Sequence, residues 1–439
     1  MNIPNIFSDY VLSAQRAIVP NENAINLNTS EIILTQEKAL EDFSTFQYLM
    51  DNAYAGRDYW SIHGVSFDDC YSIIKKRINS TPFISAKELA EFFYSAFENK
   101  IIDNHLRIAT NFPREHCFNK AFSANKLAYF SEVIIEKIEC KNIVVKSNVS
   151  SVMIGDTLEC YDDMLFRTLS PISKEYYYIG KRSWNTIDTI SITINGEVLL
   201  LPVHKSKASN YTPKDGKYFD YHTVDNIPIV TSSTFHNDYR VPRECGIEYG
   251  RRCRSTEKLI WVLAGNGGGS SQYPQHFITA LNDYANSATH SAWLKTNITD
   301  FNKVDWEKPY TEWIFNLDEE VDFSKGTFSG SLYTIINSKT GSAAENAVGY
   351  SKCIKNNVLI GENTCGMGLF GEVQAFVLKN SFIVLGIPSK IFLSESKEGE
   401  GYTPDYWVDS ADIEGEVIKW LRDTESYMPS SHTKASTTT

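Results

Sequence analysis

"WVLAGNGGGSSQYPQHF", residues 261–277, decides how the C-terminal half of the chain is read. An apolar run of buried-strand character ends at Gly265, then Gly267, Gly268 and Gly269 follow, and a helix-like segment begins. Three glycines let backbone N–H groups converge on one point, because no Cβ blocks a nest-like conformation or the approach of a ligand. The group held there would be an anion, either a phosphate or the oxyanion of acyl transfer. No Lys follows as in a phosphate loop, and the spacing fails the dinucleotide fingerprint. Taken alone, the cluster also reads as a plain loop after a strand.

Around this stretch, short apolar runs alternate with helix-like segments: "KLIWVLAG", "SLYTIIN", "SAAENAVGYSK", "NVLIGE" and "SFIVLGIP". Such alternation predicts an α/β layer with buried strands. Upstream the texture differs. From about Ile32 to His105 apolar residues recur every three to four positions, and Ser85 with Glu88 fits a capping box. Between Ser123 and Lys205 short strand-like runs dominate, with Asn195 and Gly196 as the turn of a hairpin. "YTPKDGKYFD" (211–220) reads as a linker or exposed loop. The expected organisation is a helical N-terminal domain over 1–116, a β module over 117–210, an α/β core over 211–428 and a disordered tail over 429–439.

A chain of 439 residues is long enough for two or three such domains. Its formal net charge of −12 comes without a basic stripe, which argues against a nucleic-acid partner. Eight cysteines are scattered without a CxxC pair or a His/Cys cluster, so no zinc site and no disulfide framework is signalled, and buried thiols in a reducing compartment are expected. The first twenty residues lack the features of a leader, and no run is long enough to span a bilayer. The expectation is a soluble cytoplasmic protein with no membrane partner.

"NSKTGSAAENAVGYSK" (337–352) places Ser342 between a strand-like run and the next helix. At a helix N-terminus the Ala343 amide and the dipole would favour a developing negative charge. The same residues fit a capping box, Ser342 with Glu345, so the stretch alone leaves nucleophile and cap both open. A serine hydroxyl needs a base. Among nine histidines, His105 stands out: it follows an apolar helix end, in a turn with Asp103 and Asn104 that could hold one imidazole tautomer. An inert turn histidine is the competing reading.

Four ordered motifs, "VLAGNGGG" (262–269), "TGSAAE" (340–345), "LIGENTCG" (359–366) and "GYTPDYWV" (401–408), resemble those of the tail-specific, or C-terminal-processing, serine peptidases related to the tricorn core protease and interphotoreceptor retinol-binding protein. "YAGRDYW" (54–60) and "DNHL" (103–106) resemble the branch whose helical domain ends in a D-G-H-T-like turn, and "VSSVMIGDTLECYDD" (149–163) resembles a PDZ segment. The resemblance spans most of residues 40–425. It implies a core of crotonase-like or Clp-protease-like type, a helical N-terminal domain and a PDZ-like module.

It further implies Ser342 as nucleophile, and an oxyanion loop at Gly267 and Gly268 joined by the Ala343 amide. Met367 stands where one branch has a lysine base, so the implied base is His105. Val262 and Ala264 replace the Asp and Arg of the family's glycine motif, Thr403 stands where some relatives have Glu, and Glu400 and Asp405 are the candidates for a third, orienting acid. The implied reaction is hydrolysis of a peptide or protein substrate through an acyl-enzyme with no metal or organic cofactor. A PDZ-like module could add a substrate strand to its sheet edge, and a homo-oligomer is compatible with the pattern. The rival readings are a peptide-binding pseudo-peptidase and an acyl transferase on the same scaffold.

Overall fold

The structure is a computed structural model describing residues 11–12, 32–110, 117–213, 219–236, 243–296, 299, 311–317 and 319–426. Part of the expected linker (214–218), most of the chain start and the expected tail lie outside the described residues. The chain divides into two units: Met1–Ala124 with Ala288–Glu319 and Gly366–Gly399, and Asn125–Ser287 with Glu320–Cys365 and Glu400–Thr439.

In the first unit, helices Gln36–Asn52, Gly56–Ile62, Phe67–Asn79 and Ala86–Phe97 arise where the periodicity predicts them. Thr35 and Ser66 cap two of them through their hydroxyls, and Ser85 with Glu88 forms the full capping box. Their apolar stripes meet face to face: Phe46 stacks on Phe93 with ring centroids 4.3 Å apart. The same core takes in Leu106, Ile108, Phe376, Leu385 and Ile387 from strands. The helices of the expected N-terminal domain over 1–116 thus do not close a core of their own. The helices share their core with a seven-stranded sheet ordered Val11–Leu12, Phe370–Val377, Ile383–Leu393, His290–Thr296, Thr311–Asn316, with Asp103–Thr110 also on Ile383–Leu393 and carrying Asn119–Phe122. Buried Asp42 joins helix to sheet: its carboxylate accepts the Asn380 N–H at 3.1 Å and the Ser381 N–H at 2.7 Å at the turn before Ile383.

The second unit is built on a fourteen-stranded sheet. Its parallel part runs Ile227–Ser232, Lys258–Val262, Ser331–Ile336, Asn357–Gly361, Tyr406–Trp407, with registers such as Ile260↔Tyr333 and Thr334↔Leu359. Alternate residues point to opposite faces. Leu259, Trp261, Leu332 and Ile336 pack with Phe277, Ile278, Ala347 and Val348 of helices Gln272–Asn282 and Ala343–Ser351. Ile260, Val262, Ile335 and Ile360 pack with Ile413, Val417 and Leu421 of helix Ile413–Ser426 on the other face. Burial on both faces explains why these strands read as unbroken apolar runs.

The sheet continues through the Trp407↔Thr168 pairing into the strands of the expected PDZ-like module, so position 210 is no unit boundary. Those strands enclose their own core of Val133, Ile135, Val144, Leu158, Ile179, Ile192 and Leu201. The hairpin Thr189–Ile194/Glu197–Pro202 turns at Asn195 and Gly196, both at positive φ as a tight two-residue turn demands. The described part of the module contains single-turn 3-10 helices at Asp162–Met164 and Lys207–Asn210 and no α-helix. All eight thiols are free, but only Cys70, Cys253 and Cys353 are buried, and Cys140 is exposed.

Candidate active site

Two neighbouring parallel strands, Lys258–Val262 and Ser331–Ile336, deliver the glycine loop and the Ser342 turn to the same, C-terminal end of the strands. Thr340 stitches them: its hydroxyl donates to the Leu263 carbonyl at 3.0 Å and accepts the Asn337 N–H at 3.1 Å. The Asn337 Oδ1 accepts the Gly265 N–H at 2.9 Å. Asn266 completes the join, its main-chain oxygen taking the Gly341 N–H at 3.0 Å and its Oδ1 the Gly268 N–H at 2.8 Å. Val262 and Ala264, which replace the Asp and Arg of the motif they resemble, are buried against Ile335, Ile360 and Val408. The loop is thus anchored by packing and by Asn and Thr side chains.

Ser342 stands at the N-terminus of helix Ala343–Ser351 with φ 53° and ψ −123°, a conformation that side-chain-bearing residues rarely adopt. Its side chain makes no capping hydrogen bond. Glu345, the other half of the supposed capping box, is buried and accepts a hydrogen bond from the Thr364 hydroxyl. The capping alternative is therefore not what the fold builds. Backbone strain of about 1–3 kcal/mol at such a residue persists only when the surroundings over-determine it, and a sharp strand-to-helix turn of this kind presents a nucleophile's Oγ.

The other two motifs gather at the same place. The Cys365 N–H donates to the Thr340 carbonyl at 2.8 Å, and Thr364 and Tyr402 exchange hydrogen bonds at 3.0 and 2.7 Å. Asp405 closes Asn357–Gly361 onto the last strand, with its Oδ2 accepting the Leu359 N–H at 2.8 Å. It belongs to the structural Pro-Asp turn. Glu400 pairs with Lys126 at 3.5 Å. Glu362 is buried, accepts the Ser338 N–H at 3.4 Å, and has its carboxyl pushed up to about 7 by burial.

His105 lies in the first unit, in strand Asp103–Thr110. The pairing with Asn119–Phe122 jumps from Asp103↔Phe122 to Arg107↔Ala121, so Asn104, His105 and Leu106 form a bulge, a device that re-aims side chains. Asp103 shapes the bulge. Its carboxylate accepts the N–H groups of His105 and Leu106 at 2.8 and 2.9 Å and the Tyr54 hydroxyl at 2.9 Å. Burial raises its pKa. Burial also pushes the His105 imidazolium down to about 4, leaving a neutral ring at pH 7. Within this unit Glu398, which the sequence reading missed, accepts the Asn104 N–H at 2.8 Å with one oxygen and the Leu369 N–H at 3.1 Å with the other.

The model of peptidase family S41 matches residues 248–408. That segment is a family S41 peptidase region. With the family comes the class, a serine-type peptidase whose substrate is a peptide or protein. The S41 region contains the glycine loop, Ser342 and Glu398, whereas His105 precedes it. Among solved structures, mature CPAF is 13% identical over 89% of this chain and 95% of its own, with a TM-score of 0.48. The photosystem II D1 C-terminal processing protease is 14% identical over 86% of this chain and 93% of its own, with a TM-score of 0.38. The tricorn protease is 14% identical over 89% of this chain and 37% of its own, with a TM-score of 0.40. No curated protein matches. No described helix is long and apolar enough to cross a membrane.

Proposed function

We propose that the chain hydrolyses peptide bonds through an acyl-enzyme on Ser342, with His105 as general base. The backbone at Ser342 carries this reading: φ 53° at a helix N-terminus, with a side chain that caps nothing, is an arrangement a structural serine does not need. The neutral imidazole of His105 takes the Oγ proton as Ser342 attacks the carbonyl, then returns it to the leaving amine. The Gly267 amide of the glycine loop, which Gly268 helps to shape, and the Ala343 amide receive the negative charge of the tetrahedral intermediate. The same histidine then activates the water that releases the acid product.

Glu398 is the carboxylate we assign beside His105, in place of Glu400 and Asp405, because it bonds to the amide of the residue next to the histidine. Its charge would stabilise the imidazolium that forms during turnover. The natural substrates on this reading are unfolded or C-terminal segments of proteins, and the core is of crotonase-like or Clp-protease-like type.

Digestion of an unfolded protein in heavy-oxygen water tests the proposal. Wild type should generate new C-termini that carry the heavy oxygen, and Ser342→Ala should generate none. Products lacking the label, or undiminished cleavage by Ser342→Ala, would overturn it.

A further inference from the structure

Asn266 is fully buried, and every polar group it owns is engaged. Oδ1 accepts the Gly268 N–H at 2.8 Å, Nδ2 donates to the Ser232 carbonyl at 2.8 Å, the main-chain oxygen accepts the Gly341 N–H at 3.0 Å, and the main-chain N–H donates to Leu263 at 3.0 Å. The Oδ1 contact is an Asx-turn, in which a side-chain oxygen imitates a backbone carbonyl and fixes the next two residues. Its main-chain oxygen meanwhile holds the residue immediately before Ser342. One side chain and one peptide unit therefore set the spacing between the glycine loop and the nucleophile turn.

That spacing is tight. A Cβ on Gly268 would meet the Gly341 oxygen at 2.7 Å and the Ala343 nitrogen at 2.9 Å. Oxyanion stabilisation depends on donors fixed in advance, at hydrogen-bond distance from where charge develops. The Nδ2 of Asn266 is committed to Ser232, so Asn266 is not itself such a donor. The Gly268 N–H is committed to Asn266, which hands the loop's share of the oxyanion site to Gly267, exposed and with open space on its Cβ side.

We propose that Asn266 is a positioning residue of the oxyanion site, acting through the Gly267 and Ala343 amides; this rests on the acyl-enzyme reading above. The test uses a peptide aldehyde, whose carbonyl carbon bonds to Ser342 Oγ while the serine proton passes to the new hemiacetal oxygen. That adduct mimics the tetrahedral intermediate. In Asn266→Ala the aldehyde's affinity and kcat should fall about 10- to 100-fold, while KM for a peptide substrate stays within about threefold.

Asn266→Asp supplies a second readout, needed if the alanine variant does not fold. Its ionised carboxylate cannot donate to Ser232, but its protonated form reproduces both the donor and the acceptor of the amide. Its aldehyde affinity relative to wild type should be low at pH 8 and rise as pH falls through the carboxyl's pKa, which burial at this site holds above the ordinary aspartate value. The proposal is overturned if wild type binds the aldehyde and the variants bind it equally at pH 8, or if substrate KM rises as much as aldehyde affinity falls. A wild type that forms no aldehyde adduct refutes the acyl-enzyme reading itself, and this inference with it.

Discussion

Gly268 and Ser342 are apposed so closely that a Cβ built on the glycine would stand 2.7 Å from the serine Cβ. Gly268 also holds φ at +104°, a value L side chains rarely adopt. Gly268→Ala must therefore push the serine, move the loop, or both. We expect kcat to fall by about 100-fold or more, the scale of a lost oxyanion donor. Circular dichroism should show that the fold is kept, and activity equal to wild type would mean the loop plays no part in the reaction.

The depressed pKa of His105 fixes the sign of a pH effect. The active form is the neutral ring, and with its pKa pushed to about 4 that form persists well below the ordinary histidine value of about 6.5. The rate of Ser342 acylation by an irreversible phosphonate, measured per folded molecule, should stay level from pH 8 to about pH 5 and drop only near 4. A midpoint near 6.5 would show an ordinary, solvated histidine at work.

Glu362 gives the opposite sign for stability. Burial raises its pKa to about 7, so between roughly pH 4.3 and pH 7 the folded chain holds a proton that the unfolded chain has released. Its contribution is intact below the unfolded pKa and is lost as pH rises through the folded one. Urea unfolding of Glu362→Gln against wild type should show the difference shifting in the variant's favour by on the order of 2 kcal/mol between pH 5 and pH 8. A pH-independent difference would refute the shift.

Asp42 tests whether the N-terminal helices are part of the sheet's unit. Its carboxylate accepts N–H groups from Asn380 and Ser381, and the Asn380 Nδ2 donates to it at 2.9 Å. Asp42→Ala strands the buried Ser381 N–H and the half-buried donors of Asn380, and should cost about 2–4 kcal/mol in a urea titration, with helix and strand signals lost together. Loss of the helices alone at lower urea would mean they fold separately.

Much of this arrangement could be read from local pattern. The turn at Asn195–Gly196, the box at Ser85–Glu88 and the strand–turn–helix around Ser342 are set by neighbours within a few residues, and sequence shows neighbours. The box expected at Ser342 and Glu345 has the right spacing but the wrong environment, because burial against Thr364 claims the carboxylate. The pairing of Val384 with Ala109, which draws the N-terminal segment into a sheet, joins distant stretches and leaves no local mark. Glu398 was illegible for the same reason: its partner Asn104 is 294 residues away. Asn266 was in view as one letter of the glycine motif, but its role follows from hydrogen bonds to Ser232 and Gly341 that only the fold supplies.

The most direct test is intact-mass measurement after exposure to a fluorophosphonate, for wild type, Ser342→Ala and His105→Ala. One adduct on wild type, mapped to Ser342 and absent or strongly slowed in both variants, is the predicted result. A folded wild type that takes no adduct across pH 5 to 8, or an adduct that survives Ser342→Ala, would contradict an activated Ser342.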